Sequence, residues 1–62
     1  SSVMFVIQIN GKKRSLIKAS KNITEIELMK LVANEYNLKK YLENKQIIRK
    51  IFVPGKLINI II

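Results

Sequence analysis

The sequence predicts an α+β domain: a four-stranded mixed sheet with ββαββ connectivity and one main helix packed on one face. Three observations carry that prediction. Asn10-Gly11 separates two strand-like runs, and both residues tolerate positive φ. Thr24 precedes an apolar-periodic stretch with Glu27 three residues on, the pattern of a capping box. Pro54-Gly55 separates two further apolar runs, with Pro fixing the first central φ of a type II turn and Gly supplying the positive second one. Sixty-two residues hold one such unit, so residues 1–62 are read as a single domain, with no weight placed on Ser1-Ser2.

The elements follow in order. Val3 to Ile9 is β-branched and apolar and reads as the first strand, and Lys12 to Ala19 returns as the second. A two-residue turn would pair Ile9 with Lys12 and Ile7 with Arg14, setting cations beside apolar partners. A three-residue loop with a bulge at Gly11 pairs Gln8 with Lys12 and Val6 with Arg14 instead, and is the expected register. It puts Phe5 and Ile7 on one face with Ser15, Ile17 and Ala19, and Gln8, Lys12, Arg14 and Lys18 on the other. The helix starts after Thr24, with Ile23 and Leu28 as its hydrophobic staple. Leu28, Leu31, Val32 and Glu35, with Met29, Ala33 and Tyr36 alongside, carry it to about Asn37. Leu38 to Leu42 reads as one more short helical turn, closed at Glu43-Asn44. Ile47 to Val53 and Leu57 to Ile62 form the second hairpin.

Composition orders the strands. The first and last (VMFVI, INIII) are almost wholly apolar, as central strands covered on much of both faces are. The second and third carry cations, and Lys on an edge blunts unwanted strand pairing. The expected order is 2-1-4-3, with the first and last strands parallel neighbours. It resembles a minimal β-grasp or ubiquitin-like arrangement; an open ββαββ layer in another order is the alternative.

The chain has neither Cys nor His, so it lacks disulfides, thiol nucleophiles and the commonest general base and metal ligand. Its carboxylates are Glu25, Glu27, Glu35 and Glu43, the first two suited to the positive end of a helix. Gly55-Lys56 lacks the glycine and hydroxyl residue of a phosphate loop. No catalytic residue, cofactor or metal is therefore expected in this segment. The longest apolar runs fall far short of the ~20 residues of a membrane span. The absence of Cys favours a reducing compartment, so a cytoplasmic, monomeric domain without membrane contact is expected.

Charge points to a partner. Twelve Lys and Arg against four Glu give +8 and a pI near 10.1, a field that attracts polyanions. Each cation alone reads more readily as a solubilising surface group than as a contact; the excess as a whole favours nucleic acid. Phe5 and Tyr36 are expected in the core, which leaves Tyr41 and Phe52 as partly exposed rings. Two rings do not make a base-stacking platform, so recognition of backbone and shape in a folded RNA is expected. That requires positive side chains gathered on one side of the sheet.

Three segments resemble the C-terminal domain of bacterial leucyl-tRNA synthetases. IQINGKKR (Ile7 to Arg14) is similar to the family's strand, Asn-Gly-Lys and Arg. KKYLENK (Lys39 to Lys45) is similar to its Lys-Tyr-Leu and following turn. RKIFVPGKLINI (Arg49 to Ile60) is similar to its Lys, apolar strand, Val-Pro-Gly-Lys-Leu and Asn. The family often has an apolar residue where Lys13 stands and Gly where Asn44 stands; Asn also adopts the left-handed conformation. The resemblance implies a parent enzyme joining leucine to tRNA(Leu) with ATP and Mg²⁺, its catalytic domains lying upstream as partners. It implies a domain that grips the outer corner of tRNA, where the D and T loops meet. Lys12, Arg14, Lys50 and Lys56 match basic positions of the motifs and are the expected tRNA contacts, with Lys39 and Lys40 as additions. Asn10, Gly11, Pro54 and Gly55 are expected turn-formers. The competing reading is a protein-docking module of ubiquitin-like type, which requires an exposed apolar patch around Ile48, Phe52 and Ile58.

Overall fold

A computed structural model describes all 62 residues. The elements are β1 (Ser2–Ile9), β2 (Lys12–Ser20), α1 (Glu25–Ala33), α2 (Tyr36–Leu42), β3 (Arg49–Val53) and β4 (Leu57–Ile61). Strand order is β2-β1-β4-β3, as composition predicted, with β1 and β4 parallel and the other pairs antiparallel. The two apolar strands meet through Ile7–Ile58 and Ile9–Ile60. Those four side chains, with Phe5, Ile17 and Ala19, are buried on one face beneath Leu28, Val32 and Leu38. No polar or charged residue is buried, so hydrophobic burial dominates the cohesion of this core.

The first hairpin departs from the expected register. Asn10 (φ 52°) and Gly11 (φ 84°) both take left-handed conformations, giving a two-residue turn that pairs Ile9 with Lys12 and Gln8 with Lys13. Such turns match the right-handed twist of their strands, and this wins over the three-residue loop. The clash foreseen for a two-residue turn is relieved by a bulge one step further on. The register slips between Ile7 and Gln8, so Ile7 pairs with Ser15 and Arg14 is the extra residue. Ser15, Ile17 and Ala19 thereby keep the core face that the sequence requires. Lys12, opposite Ile9, and Arg14 at the bulge go to the helix side instead of the face shared by Gln8 and Lys18.

The main helix ends earlier than expected, at Ala33, and the short turn expected at Leu38 to Leu42 starts earlier, as α2. Thr24 caps α1 with the full box: Glu27 N–H donates to Thr24 Oγ1 (3.2 Å), and Thr24 N–H donates to Glu27 Oε1 (3.2 Å). Continuing α1 to Asn37 would bring Glu35 and Tyr36 under the Leu28–Val32 stripe and desolvate a carboxylate. The chain breaks at Asn34, takes an extended conformation at Glu35 (ψ 114°), and restarts so that Leu38 fills that place. Tyr36, expected in the core, is 83% exposed. Asn44 is left-handed (φ 61°), as the glycine it replaces in the motif would be. At the second hairpin, Gly55 has φ 74° and Lys56 N–H donates to Val53 O (3.0 Å), as the Pro-Gly turn requires.

The cap makes α1 acid-sensitive. The Thr24 backbone N–H first, and then its hydroxyl, hold the Glu27 carboxyl below its ordinary value. A depressed carboxylate contributes stability above its unfolded pKa and loses it as pH falls through the folded one. Thermal melts over an acid series should show Tm declining below the ordinary carboxylate range, with a shallower decline in Glu27→Gln. Thr24→Ala should cost about 1 kcal/mol at neutral pH, a fall of roughly 4–8 °C in a domain this small.

Candidate nucleic-acid interface

The hairpin tip is a fixed platform. Asn10 N–H donates to Ile60 O (2.9 Å) and its side-chain Oδ1 accepts from Ile62 N–H (2.9 Å). Across the tip, Asn59 Oδ1 accepts from Gly11 N–H (2.9 Å). Asn10 is thus more than a turn-former, and Asn59 is a clamp that the sequence reading missed. Its signal was present, since Asn59 is the one polar residue in the apolar run INIII. Asn59→Ala should destabilise the chain by about 1 kcal/mol and speed amide exchange at Gly11 specifically, as measured by NMR.

The clamp positions β2, which carries Lys12 at the tip and Arg14 at the bulge. Arg14 reaches across to α2, where its Cζ lies 4.9 Å from the centroid of the Tyr41 ring. Lys40 Nζ lies 5.2 Å from the same centroid. Tyr41 itself packs half-buried against the core, so the two cations are drawn to a ring the core holds in place. Lys39 and Lys40 line a recess of about 260 Å³ with Tyr36, Asn37 and Glu43. Lys12, Arg14, Lys39 and Lys40 form one basic region on the helix side, along β2 and α2.

The other two expected contacts lie elsewhere. Lys50 is on β3 at the far edge of the sheet, where its Nζ meets Glu25 Oε2 at 3.5 Å, the one ion pair in the molecule. Both side chains are more than a third exposed, so the pair adds little stability, but it engages the Lys50 charge. Glu25 therefore serves a cation as well as the helix end. Lys56 follows the second turn, next to Leu57, which pairs with Val6; Lys12 is paired with Ile9. The two cations are about four residue steps, roughly 13 Å, apart along the strands. Lys56 has Lys21 for company: the Lys21 side chain passes within 3.6 Å of the Cβ position at Gly55. Of the six residues, Arg14 and Lys40 meet at Tyr41, Lys39 shares the recess of Lys40, Lys12 lies on the same side at the hairpin tip, and Lys50 and Lys56 lie apart from them.

The patch required for protein docking does not form. Ile58 is fully buried, and Phe52 is half-buried and stacked on Phe5 with centroids 6.3 Å apart; only Ile48 stands open. Other exposed apolar side chains are dispersed: Met4, Leu16, Ile51 and Val53 on the sheet face opposite the helices, Ile26 and Leu31 on α1, and Ile47 before β3. No helix is long and apolar enough to cross a membrane.

No protein-family model matches the chain. Individual proteins do. It is 46% identical over 57 residues to a leucine–tRNA ligase of Buchnera aphidicola subsp. Baizongia pistaciae (strain Bp), covering 92% of this chain and 7% of that one. The leucine–tRNA ligase of Hahella chejuensis (strain KCTC 2396) is 39% identical over 61 residues, 98% of this chain and 7% of that one. That of Chlamydia felis (strain Fe/C-56) is 40% identical over all 62 residues, again 7% of its length. The chain therefore spans a small part of the relatives it matches. Among solved structures, the ternary complex of Agrobacterium radiobacter K84 agnB2 LeuRS-tRNA-LeuAMS aligns with a TM-score of 0.88 at 22% identity, covering 97% of this chain and 8% of that one. At that identity the match establishes the fold, while the curated relatives establish descent. The chain belongs to the leucine–tRNA ligase family, as the counterpart of the small C-terminal domain of those enzymes.

Proposed function

We propose that this domain binds the outer corner of tRNA(Leu), where the D and T loops meet, and so holds the substrate for a synthetase core elsewhere in the same protein. The observation that supports it best is the cluster of Lys12, Arg14, Lys39 and Lys40 on a platform of β2 and α2, none of them in an ion pair. Cations free of acid partners break no ion pair on meeting phosphate, and each phosphate contact gains from counterion release. The mechanism is positional. The Asn10 and Asn59 clamps fix the hairpin, the hairpin and α2 present the cations, and the cations hold the RNA backbone. Linkage to the remaining domains raises the effective concentration, so a weak grip by the domain alone still favours tRNA on the intact enzyme.

Leucine activation, with its ATP and Mg²⁺, is assigned to the rest of the parent synthetase. The donor set here does not fit those groups: no three acidic residues gather to hold a metal, and the two glycines serve turns. Monomeric, cytoplasmic action is part of the same proposal.

Titration of the chain with folded tRNA(Leu) over a salt series tests this. Affinity should fall linearly in log K against log salt with a slope of about −3 to −4, some −0.9 for each of four phosphates. A flat salt dependence, or equal affinity for tRNA unfolded by removal of Mg²⁺, would reject binding to the folded corner.

A further inference from the structure

Two cations share the Tyr41 ring, one from β2 and one from α2. Their distances to its centroid put the two charges within about 10 Å of each other. That is about one Debye length at 0.1 M salt, so the pair repels, though weakly. Neither cation has an acid partner in an ion pair. The only ion pair in the molecule joins Lys50 to Glu25 on other elements. Glu43, one helical turn beyond Lys40, forms no ion pair despite sharing a recess with it. Long, exposed side chains with that repulsion would ordinarily splay into water, where rotamer entropy also favours them. Here the π system of one ring draws both. The ring is in turn held by the core, against which Tyr41 packs.

From this arrangement we propose that Arg14, Tyr41 and Lys40 form a phosphate clasp, with Tyr41 the positioning residue that holds the two cations on a single phosphodiester group of bound RNA. The ligand class rests on the tRNA reading above; the geometry of the clasp does not. An anion between the cations removes their repulsion and accepts from both, and Arg supplies the planar fork that suits phosphate oxygens. Tyr41 does not touch the phosphate through its ring face, which the cations occupy. The two-residue turn serves the clasp: it sets Arg14 on the helix side with Lys12, and the bulge then returns Ser15, Ile17 and Ala19 to the core face.

The test is a double-mutant cycle on the full chain, with circular dichroism melts confirming that each variant is folded. Tyr41→Phe keeps the ring and should bind tRNA(Leu) within twofold of the parent. Tyr41→Leu keeps apolar packing without the π face and should weaken binding about fivefold, the factor an exposed cation–π contact corresponds to. The cost of Arg14→Gln should then shrink to less than twofold in the Tyr41→Leu background, because the ring and the cation act together. Unchanged affinity in Tyr41→Leu, or an undiminished Arg14→Gln effect there, overturns the clasp while leaving the tRNA reading intact. A second arm uses inorganic pyrophosphate and NMR. Arg14 Nε–H and the Lys40 side chain should shift on titration in the parent and in Tyr41→Phe, and not in Tyr41→Leu. If tRNA does not bind at all but these shifts appear, the tRNA reading fails and the clasp stands. If pyrophosphate moves neither side chain, the clasp fails by itself.

Discussion

Ile58→Ala is expected to destabilise the chain by about 2–5 kcal/mol, enough to unfold much of the population near 37 °C. Ile58 is fully buried, pairs with Ile7 on the parallel side and with Phe52 on the antiparallel side, and so joins the two central strands to the β3 edge. A domain of this length is stable by only about 3–9 kcal/mol at the usual 0.05–0.15 kcal/mol per residue. It has no disulfide to limit the damage. The cavity cannot close easily either, because the β4 backbone is held by strands on both sides and its neighbour Asn59 is bonded to the hairpin tip. Urea melts measure the effect. Ile51→Ala, on the face that no helix covers, is the matched control and should cost less than about 1 kcal/mol, since its side chain is already partly in water. Equal costs at the two positions would mean that the helix-covered face does not carry the stability.

The same contrast shows what the sequence reveals and what it hides. Strand order was legible because VMFVI and INIII differ so sharply in polarity from the cationic strands that only central places suit them. The Thr24 cap and both left-handed turns were legible because each depends on a few residues close in sequence. The hairpin register was not. Two-residue and three-residue turns are both compatible with Asn10-Gly11, and the choice was settled by a bulge at Arg14 that local pattern does not announce. The exact place of the helix break escaped for a related reason. Leu38 fits the end of a long helix or the start of a second one, and only the space beneath Leu28 and Val32 decides between them. For the interface, the cations were plain in the composition, but their grouping was set by those same two undecided features. Arg14 and Lys40 meet because of the two-residue turn and the restart of the helix, and Lys50 is engaged by a glutamate 25 positions earlier in the chain.

That grouping yields the second large effect. Changing Lys12, Arg14, Lys39 and Lys40 together to Gln should reduce the salt slope of tRNA binding by about 3–4 and lower affinity at 0.1 M salt by a hundredfold or more. Changing Lys50 and Lys56 to Gln should reduce the slope by at most about 2 and affinity by roughly tenfold or less. The asymmetry has two causes. Lys50 must give up Glu25 before it can serve a phosphate, so its net gain is small. Lys56 stands four residue steps from Lys12 along the strands, where one rigid RNA corner meets both only by spanning the sheet. Gln keeps much of the aliphatic stem, so packing loss is minor and melts of both variants should stay close to the parent. Fluorescence anisotropy with labelled tRNA(Leu) at several salt concentrations gives slope and affinity in one experiment. A larger loss from the Lys50 and Lys56 pair would move the interface to the β3 edge and the second turn, and with it the direction from which the RNA approaches.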